Sequence, residues 1–290
     1  MSAVRFGVDL STSAGLGADP VADARKAEDL GFDFLSASDH PSGSHPTYET
    51  WTMLAWIAAS TTRIHIATRV LGVPYRPPAM VAKMAESFDR LSGGRLILGL
   101  GGGYSDEEFR AFGLGVPTPG EKITGLEEAI HIARGLWTRP GFSFEGRRYR
   151  TDDAELEPKA ERRIPIWLGT FGPRSLRLTG KLADGWIPSL GNAPPEDIPA
   201  MRERIIAGAR DAGRAPEEIA CIYNLEVRVD ERAQPEQDVV TGSPGFIAER
   251  LVSFTKLGFG GFNLTPVGND KDRQLERLAR EVIPAVATAT

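Results

Sequence analysis

The sequence predicts a single (β/α)₈ barrel, and three observations support this fold class. Eight short apolar runs alternate with amphipathic helical segments, which is the pattern of parallel βαβ units. A chain of 290 residues is an ordinary length for one such barrel, so we expect residues 1–290 to form one domain. A Leu-Gly-Phe junction, typical of a helix that ends just before a strand, occurs at Leu30 and again at Leu257. The predicted strands are 6–10, 34–37, 64–70, 96–100, 165–168, 185–187, 221–229 and 262–265.

The helical segments carry recognisable start and stop signals. Asp19 followed by Pro20 is typical of an N-cap and a first helical residue, and Gly31 supplies a left-handed stop. Ser105 and Glu108 have the spacing of a capping box, in which each side chain satisfies a backbone N–H group. Helical spacing also predicts one buried stripe on the longest helix, formed by Ile123, Leu126, Ile130, Ala133 and Trp137.

The connection between the fourth and fifth strands is unusually long. It covers residues 101–164, whereas a barrel loop usually has about 2–6 residues and is followed by one helix. Its last part, residues 142–149, is predicted to form a short hairpin that turns at Gly146. An insertion after a barrel strand lies over the C-terminal mouth, where active sites are found.

Composition excludes several classes of function. The formal net charge of −5 gives no reason to expect a nucleic-acid partner. Cys221 is the single cysteine, so no internal disulfide can form, and its apolar neighbours predict a buried, unreactive thiol. No Cys/His cluster has metal-ligand spacing. We see neither a secretory signal nor a run of about 18 apolar residues, so we expect a cytoplasmic protein without a membrane segment, acting on a small molecule.

Asp39 and His40 are the first candidate site residues. They directly follow the second predicted strand and therefore belong at the barrel mouth. Histidine is the side chain best matched to proton transfer near neutral pH, which makes His40 the candidate catalytic residue. The alternative interpretation is a turn aspartate beside a solvated histidine.

Two glycine-containing turns follow the fourth and fifth strands. Residues 99–103 are not a P-loop, because no Gly-Lys-Ser/Thr follows them. They are also a poor dinucleotide fingerprint, because Tyr104 stands where the last glycine would be. Gly172 precedes a proline and looks like a helix start. Its unpaired N–H groups, together with Arg174 and Ser175, could bind a phosphate. The alternative is an ordinary helix start with a solvated arginine.

Several motifs in a fixed order resemble the luciferase-like monooxygenase superfamily, in particular its coenzyme F420-dependent oxidoreductases. The series begins with Ala-Glu-Asp-Leu-Gly-Phe-Asp at 27–33 and Ser-Asp-His at 38–40. It continues with Pro-Pro-Ala-Met-Val-Ala-Lys at 77–83, Asp-Arg-Leu-Ser-Gly-Gly-Arg at 89–95 and Leu-Ala-Asp-Gly-Trp at 182–186. Each motif is weak alone, but the ordered series covers nearly the whole chain.

The resemblance implies a flavin-like ring at the barrel mouth and a homodimeric enzyme. It also implies a non-proline cis peptide behind the ring, which maps to Arg69–Val70. The positions that match the family's cofactor contacts are Asp39, Arg69, Val70, Gly72, Gly102, Gly103, Glu107, Gly172, Arg174 and Ser175.

The choice of cofactor rests on residues 38–40. F420-dependent members resemble this Ser-Asp-His, whereas FMN monooxygenases more often have Glu-His. We therefore expect F420 and hydride transfer; the alternatives are an FMN-dependent monooxygenase and a non-catalytic flavin-binding homologue. Sugar-phosphate dehydrogenases of this family have a glutamate where Tyr104 stands and another within the stretch 11–13, which is Ser-Thr-Ser here. These departures argue against a sugar-phosphate substrate, and the sequence does not identify another.

Overall fold

Eight parallel strands close into a barrel, which confirms the predicted (β/α)₈ fold. The computed structural model describes residues 3–234, 236–268 and 270–290. Each barrel strand pairs with the next along the chain, and the last closes on the first, with Val8 beside Leu264. Each of the eight predicted runs overlaps one strand. The strands are β1 Arg5–Asp9, β2 Phe34–Ala37, β3 His65–Thr68, β4 Leu96–Gly101, β5 Ile166–Leu168, β6 Gly185–Trp186, β7 Ala220–Val229 and β8 Gly261–Pro266.

The first helix begins and ends at the capping residues that the sequence predicts. Asp19 accepts the N–H groups of Val21 and Ala22 at 3.2 and 3.0 Å, and Gly31 has a φ of 88°, so the predicted signals of the first helix are confirmed. The α-helices are α1 Pro20–Asp29, α2 Thr50–Ser60, α3 Pro78–Leu91, α4 Asp106–Ala111, α5 Pro119–Thr138, α6 Pro173–Leu182, α7 Ile198–Asp211, α8 Pro244–Thr255, α9 Lys271–Arg277 and α10 Ile283–Ala289.

The predicted capping box of α4 is half wrong. The Ser105 hydroxyl accepts the N–H of Glu108 at 3.3 Å, as the spacing predicts. The Glu108 carboxylate, however, contacts His40 and Tyr75 and does not return to the start of α4. A tertiary contact has replaced the local one. The complete capping box belongs to α5, where Thr118 and Glu121 satisfy each other's backbone N–H groups.

The segment between β4 and β5 contains α4, α5 and a two-stranded antiparallel hairpin. The hairpin strands are Phe142–Glu145 and Arg150–Ala154. Glu128 of α5 fixes the turn, because its buried carboxylate accepts the N–H groups of residues 147–149 at 2.6–3.0 Å. A Cβ on Gly146 would lie 2.6 Å from Glu128 Cδ, so the turn accepts only glycine at this point.

Apolar side chains fill the barrel and the layer beneath its helices. The predicted stripe on α5 is confirmed, since Leu126, Ile130, Ala133 and Trp137 are buried and Ile123 packs at its edge. Cys221 is buried as well, and this burial raises the pKa of its thiol, in agreement with the predicted unreactive cysteine. No helix in the described ranges is long and apolar enough to cross a membrane.

Candidate active site

A cavity of about 270 Å³ opens at the C-terminal mouth of the barrel. It lies where the ends of β2 to β6 meet, which is the position predicted for a cofactor site. Seven of the eleven predicted site residues line it: Asp39, His40, Arg69, Val70, Gly72, Gly102 and Gly103. The lining also includes Tyr75, Gly101, Tyr104, Gly169, Phe171, Ile187, Ser189 and Asn192.

One wall of the cavity is built from backbone and from the Val70 side chain. The Arg69–Val70 peptide is cis, as the resemblance implies. A Cβ on Gly101 would lie 2.7 Å from Val70 Cγ2, and one on Gly169 would lie 3.3 Å from it. Gly103 has a φ of 91°, a conformation that side-chain-bearing residues rarely adopt. These glycines therefore let the Val70 side chain pack directly on the backbone at the strand ends, which leaves a wall of backbone and one aliphatic side chain that a flat ring can contact.

Asp39 is buried and organises the backbone beside this wall. Its Oδ2 accepts the N–H of Gly72 at 3.1 Å, and its two oxygens pair with the Arg76 guanidinium at 2.8 and 3.0 Å. Burial alone would lower the pKa of Arg76, but its bonds to Asp39 and Glu49 raise it above the ordinary value. Arg76 therefore stays charged, and Asp39 is neutralised inside the wall.

His40 lies at the cavity opening and is held by a carboxylate. Its side chain is 51% exposed, and Nδ1 lies 3.0 Å from Oε1 of the nearly buried Glu108. The hydroxyl of Tyr75 donates to the other oxygen of Glu108. Burial, and then this hydrogen bond, raise the pKa of Tyr75, so the phenol remains a donor. In the tautomer whose Nδ1–H donates to Glu108, Nε2 is the proton acceptor.

Arg69 is held by Asp9, a residue that the sequence analysis did not select. Their two hydrogen bonds measure 2.7 and 2.8 Å. Burial would lower the pKa of Arg69, but the negative charge of Asp9 outweighs it and raises the pKa. The guanidinium at the cavity wall is therefore a permanent cation that is already neutralised.

A chain of buried polar side chains crosses the barrel from Asp9 to the opposite side of the cavity. Ser36 Oγ lies 2.9 Å from Asp9 and 3.1 Å from the Asn263 amide. Asn263 contacts Asn224 at 2.7 Å, and Asn224 contacts Ser189 at 2.9 Å. Asp9 binds Arg69 at one end of this chain, and both Arg69 and Ser189 line the cavity. The chain fixes the positions of two polar groups that face a ligand.

The other four predicted residues do not line the cavity. Glu107 is exposed on α4. Gly172 and Ser175 form the start of α6, as predicted, with Ser175 Oγ donating to the Gly172 carbonyl at 3.0 Å. Arg174 turns away toward α5, where it donates to Gly120 O at 3.3 Å and to Thr124 Oγ1 at 2.9 Å.

Four important residues escaped the sequence analysis: Asp9, Tyr75, Arg76 and Glu108. Asp9 ends a barrel strand, so the positional rule that selected His40 could have selected it too. The spacing of Glu108 predicts only a local helix cap, and the family resemblance points to its neighbour Glu107. Tyr75 and Arg76 lie in a short turn after β3, and no sequence signal marks them.

The chain belongs to the luciferase-like monooxygenase family, whose family model matches residues 2–249. It is 29% identical to an F420-dependent glucose-6-phosphate dehydrogenase of Nakamurella multipartita, over 97% of this chain and 96% of that protein. It is 31% identical to a 5,10-methylenetetrahydromethanopterin reductase of Methanolobus tindarius, over 78% of this chain and 69% of that protein. The predicted family is thus confirmed.

Solved structures show the same fold at lower identity. An F420-dependent secondary alcohol dehydrogenase, in complex with an F420-acetone adduct, superposes with a TM-score of 0.88 at 20% identity, covering 98% of this chain and 99% of that one. The monooxygenase RslO1 from Streptomyces bottropensis superposes with a TM-score of 0.81 at 20% identity, covering 97% and 99%. At these identities the likeness concerns the barrel alone.

Proposed function

We propose that this protein is a coenzyme F420-dependent oxidoreductase that transfers a hydride between the deazaflavin and a small organic molecule. One observation supports the proposal most directly: His40, which is hydrogen-bonded to Glu108, lines a cavity at the barrel mouth. The wall of that cavity contains the Arg69–Val70 cis peptide and the buried Asp39. Relatives that span nearly the whole chain are F420-dependent enzymes, which supports the choice of cofactor.

The residues of the cavity fit a deazaflavin. When bound, this group accepts or donates a hydride at a ring carbon. Val70 and the glycine wall would hold its flat face, and the backbone ordered by Asp39 at Gly72 would hold its polar edge. Gly102 and Gly103 allow close approach of the backbone.

For the phosphate side of the cofactor we propose the start of α6. Its first residues carry N–H groups that no helical carbonyl can satisfy. Gly172, Ser175 and Arg174 lie there, just past Phe171 of the cavity. Arg174 must exchange its contact with Thr124 for the phosphate. We propose Glu107, in the first turn of α4, as an outer contact of the cofactor.

His40 moves the proton that accompanies the hydride. An alcohol that loses a hydride must also lose its hydroxyl proton, and a neutral Nε2 can accept it. Glu108 fixes the orientation of the imidazole ring, in the way that a carboxylate orients a catalytic histidine. Tyr75 in turn fixes Glu108.

Cofactor identity is the direct test. We expect F420 to bind at least about tenfold more tightly than FMN, a difference of ~1.4 kcal/mol. Fluorescence or calorimetric titration of the purified protein with each cofactor measures both dissociation constants. Equal or tighter binding of FMN would favour the alternative, an FMN-dependent monooxygenase. Binding without any turnover would favour the non-catalytic alternative.

We also propose that the protein is a homodimer that associates through α2. This helix contains no charged residue, and Trp56 on it is 70% exposed. Together with Thr52, Ala55 and Ala59, Trp56 makes an exposed helix face without charge, and contiguous surfaces of this kind mark interaction sites. We expect Trp56→Glu to weaken association by ~2 kcal/mol or more, as for an interface hot spot. Light scattering after gel filtration measures the mass, with Phe246→Glu on α8 as the matched control. A cytoplasmic location remains the prediction made from the sequence.

A further inference from the structure

Every charged side chain that lines the cavity is already neutralised by the wall behind it. Arg69 is paired with Asp9, and Asp39 with Arg76. His40 is hydrogen-bonded to Glu108. Among the described residues that line the cavity, no cation is left to neutralise a charged ligand.

A second carboxylate, besides Asp9, acts on Arg69. Glu226 of β7 is exposed, and its charge acts on Arg69 in addition to that of Asp9. Asp9 already compensates the charge of Arg69, so an approaching anion would gain little from this guanidinium.

A second cavity at the same end of the barrel is lined by more carboxylates than cations. It measures about 290 Å³ and lies beside the ends of β1 and β8. Among the described residues that line it, Asp9, Asp23 and Asp272 stand against a single cation, Lys271. Burial, and then the charge of Asp272, raise the pKa of Asp23, as expected where carboxylates crowd together.

The remaining surface of the first cavity is apolar or neutral. Phe171 and Ile187 supply apolar contact, and Ser189 and Asn192 supply hydrogen bonds without charge. The Asn224 amide holds Ser189 in place at 2.9 Å. A phosphate entering this space would lose its hydration without gaining a counter-charge, which costs several kcal/mol by the general rule for buried ions.

From this charge balance we infer that the substrate is an uncharged, partly apolar alcohol or the matching carbonyl compound, and not a phosphorylated sugar. The inference rests on the proposed function. In the oxidation direction the alcohol carbon loses its hydride to the deazaflavin, which is reduced. The hydroxyl proton passes to His40, and the C–O bond becomes C=O. An uncharged substrate would distinguish this chain from its relatives that are glucose-6-phosphate dehydrogenases.

The test uses the F420-loaded protein and two matched sets of compounds. One set contains secondary alcohols such as 2-butanol and cyclohexanol with their ketones; the other contains glucose 6-phosphate and glycerol 3-phosphate. Calorimetry measures binding, and deazaflavin absorbance measures turnover. We expect kcat/KM for the best uncharged compound to exceed that for either phosphate at least about 100-fold. We also expect its binding to be independent of ionic strength, since neutral ligands are not screened.

Three results would overturn the inference, and they separate it from the proposed function. Binding of F420 together with equal or better use of glucose 6-phosphate makes the inference wrong and leaves the proposed function standing. Binding of F420 without binding of any uncharged compound also makes it wrong. Failure to bind F420 makes the proposed function wrong, and the inference falls with it.

A charge variant tests the physical cause. Glu226→Gln should tighten the weak binding of glycerol 3-phosphate several-fold and leave the binding of cyclohexanol unchanged, because only the anion feels the lost repulsion. Glu249→Gln on α8 is the matched control, since it removes an equally exposed carboxylate elsewhere. If both variants, or neither, change phosphate binding, the charge of Glu226 is not what selects the substrate.

Discussion

Replacing His40 with alanine should lower turnover by about 10²–10⁴-fold, the usual contribution of a general acid or base. The imidazole is half-exposed and makes one hydrogen bond, to Glu108, so its loss removes little packing. We therefore expect the free energy of unfolding to change by under ~1 kcal/mol, as for a surface substitution. Cofactor affinity should change by less than about tenfold, or ~1.4 kcal/mol, because the ring wall is built from other residues.

Stopped-flow measurement of deazaflavin reduction by the best alcohol gives the rate. His45→Ala is the matched control, because His45 is an exposed histidine that does not line the cavity. Added imidazole should restore part of the rate of His40→Ala and leave the control unchanged. If the cofactor is reduced at the parental rate in the His40→Ala protein, His40 is a solvated loop histidine without a catalytic role.

Replacing Asp39 with alanine should destabilise the protein by about 3–5 kcal/mol, the cost of leaving one partner of a buried ion pair behind. The Asp39 side chain is 1% exposed, and Arg76, which would remain, is 16% exposed. The substitution also removes the acceptor of the Gly72 N–H. Because that backbone lines the cavity, we expect F420 binding to weaken in parallel.

Urea denaturation measures this change in the free energy of unfolding. Glu49→Ala is the matched control, because Glu49 binds the same guanidinium from a position that is 42% exposed. It also caps α2, so its removal should cost only ~1 kcal/mol. The double variant Asp39→Ala, Arg76→Leu should recover part of the loss by removing the stranded charge. If Asp39→Ala unfolds at the parental urea concentration, the pair is not important for stability.

The sequence by itself determined the barrel and the position of its site. The order of apolar runs and helices is a local pattern, and eight strand–helix units in a chain of this length are typical of a closed (β/α)₈ barrel. Asp39 and His40 follow β2 directly, so their place at the mouth follows from chain order alone. The same holds for the glycine wall after β4 and for the start of α6 after β5.

Only the tertiary structure decided which side chains meet. Glu108 and His40 are 68 residues apart, and Asp9 and Arg69 are 60 apart, so no spacing in the sequence reveals either contact. Local rules predict that Glu108 caps α4 and that Arg174 binds a phosphate. In the fold, a buried carboxylate pairs with whatever donors the neighbouring loops bring to it, and a long arginine reaches the nearest acceptors on α5. The need to neutralise charges and satisfy polar groups away from water acts between distant segments, and therefore only the folded chain determines these contacts.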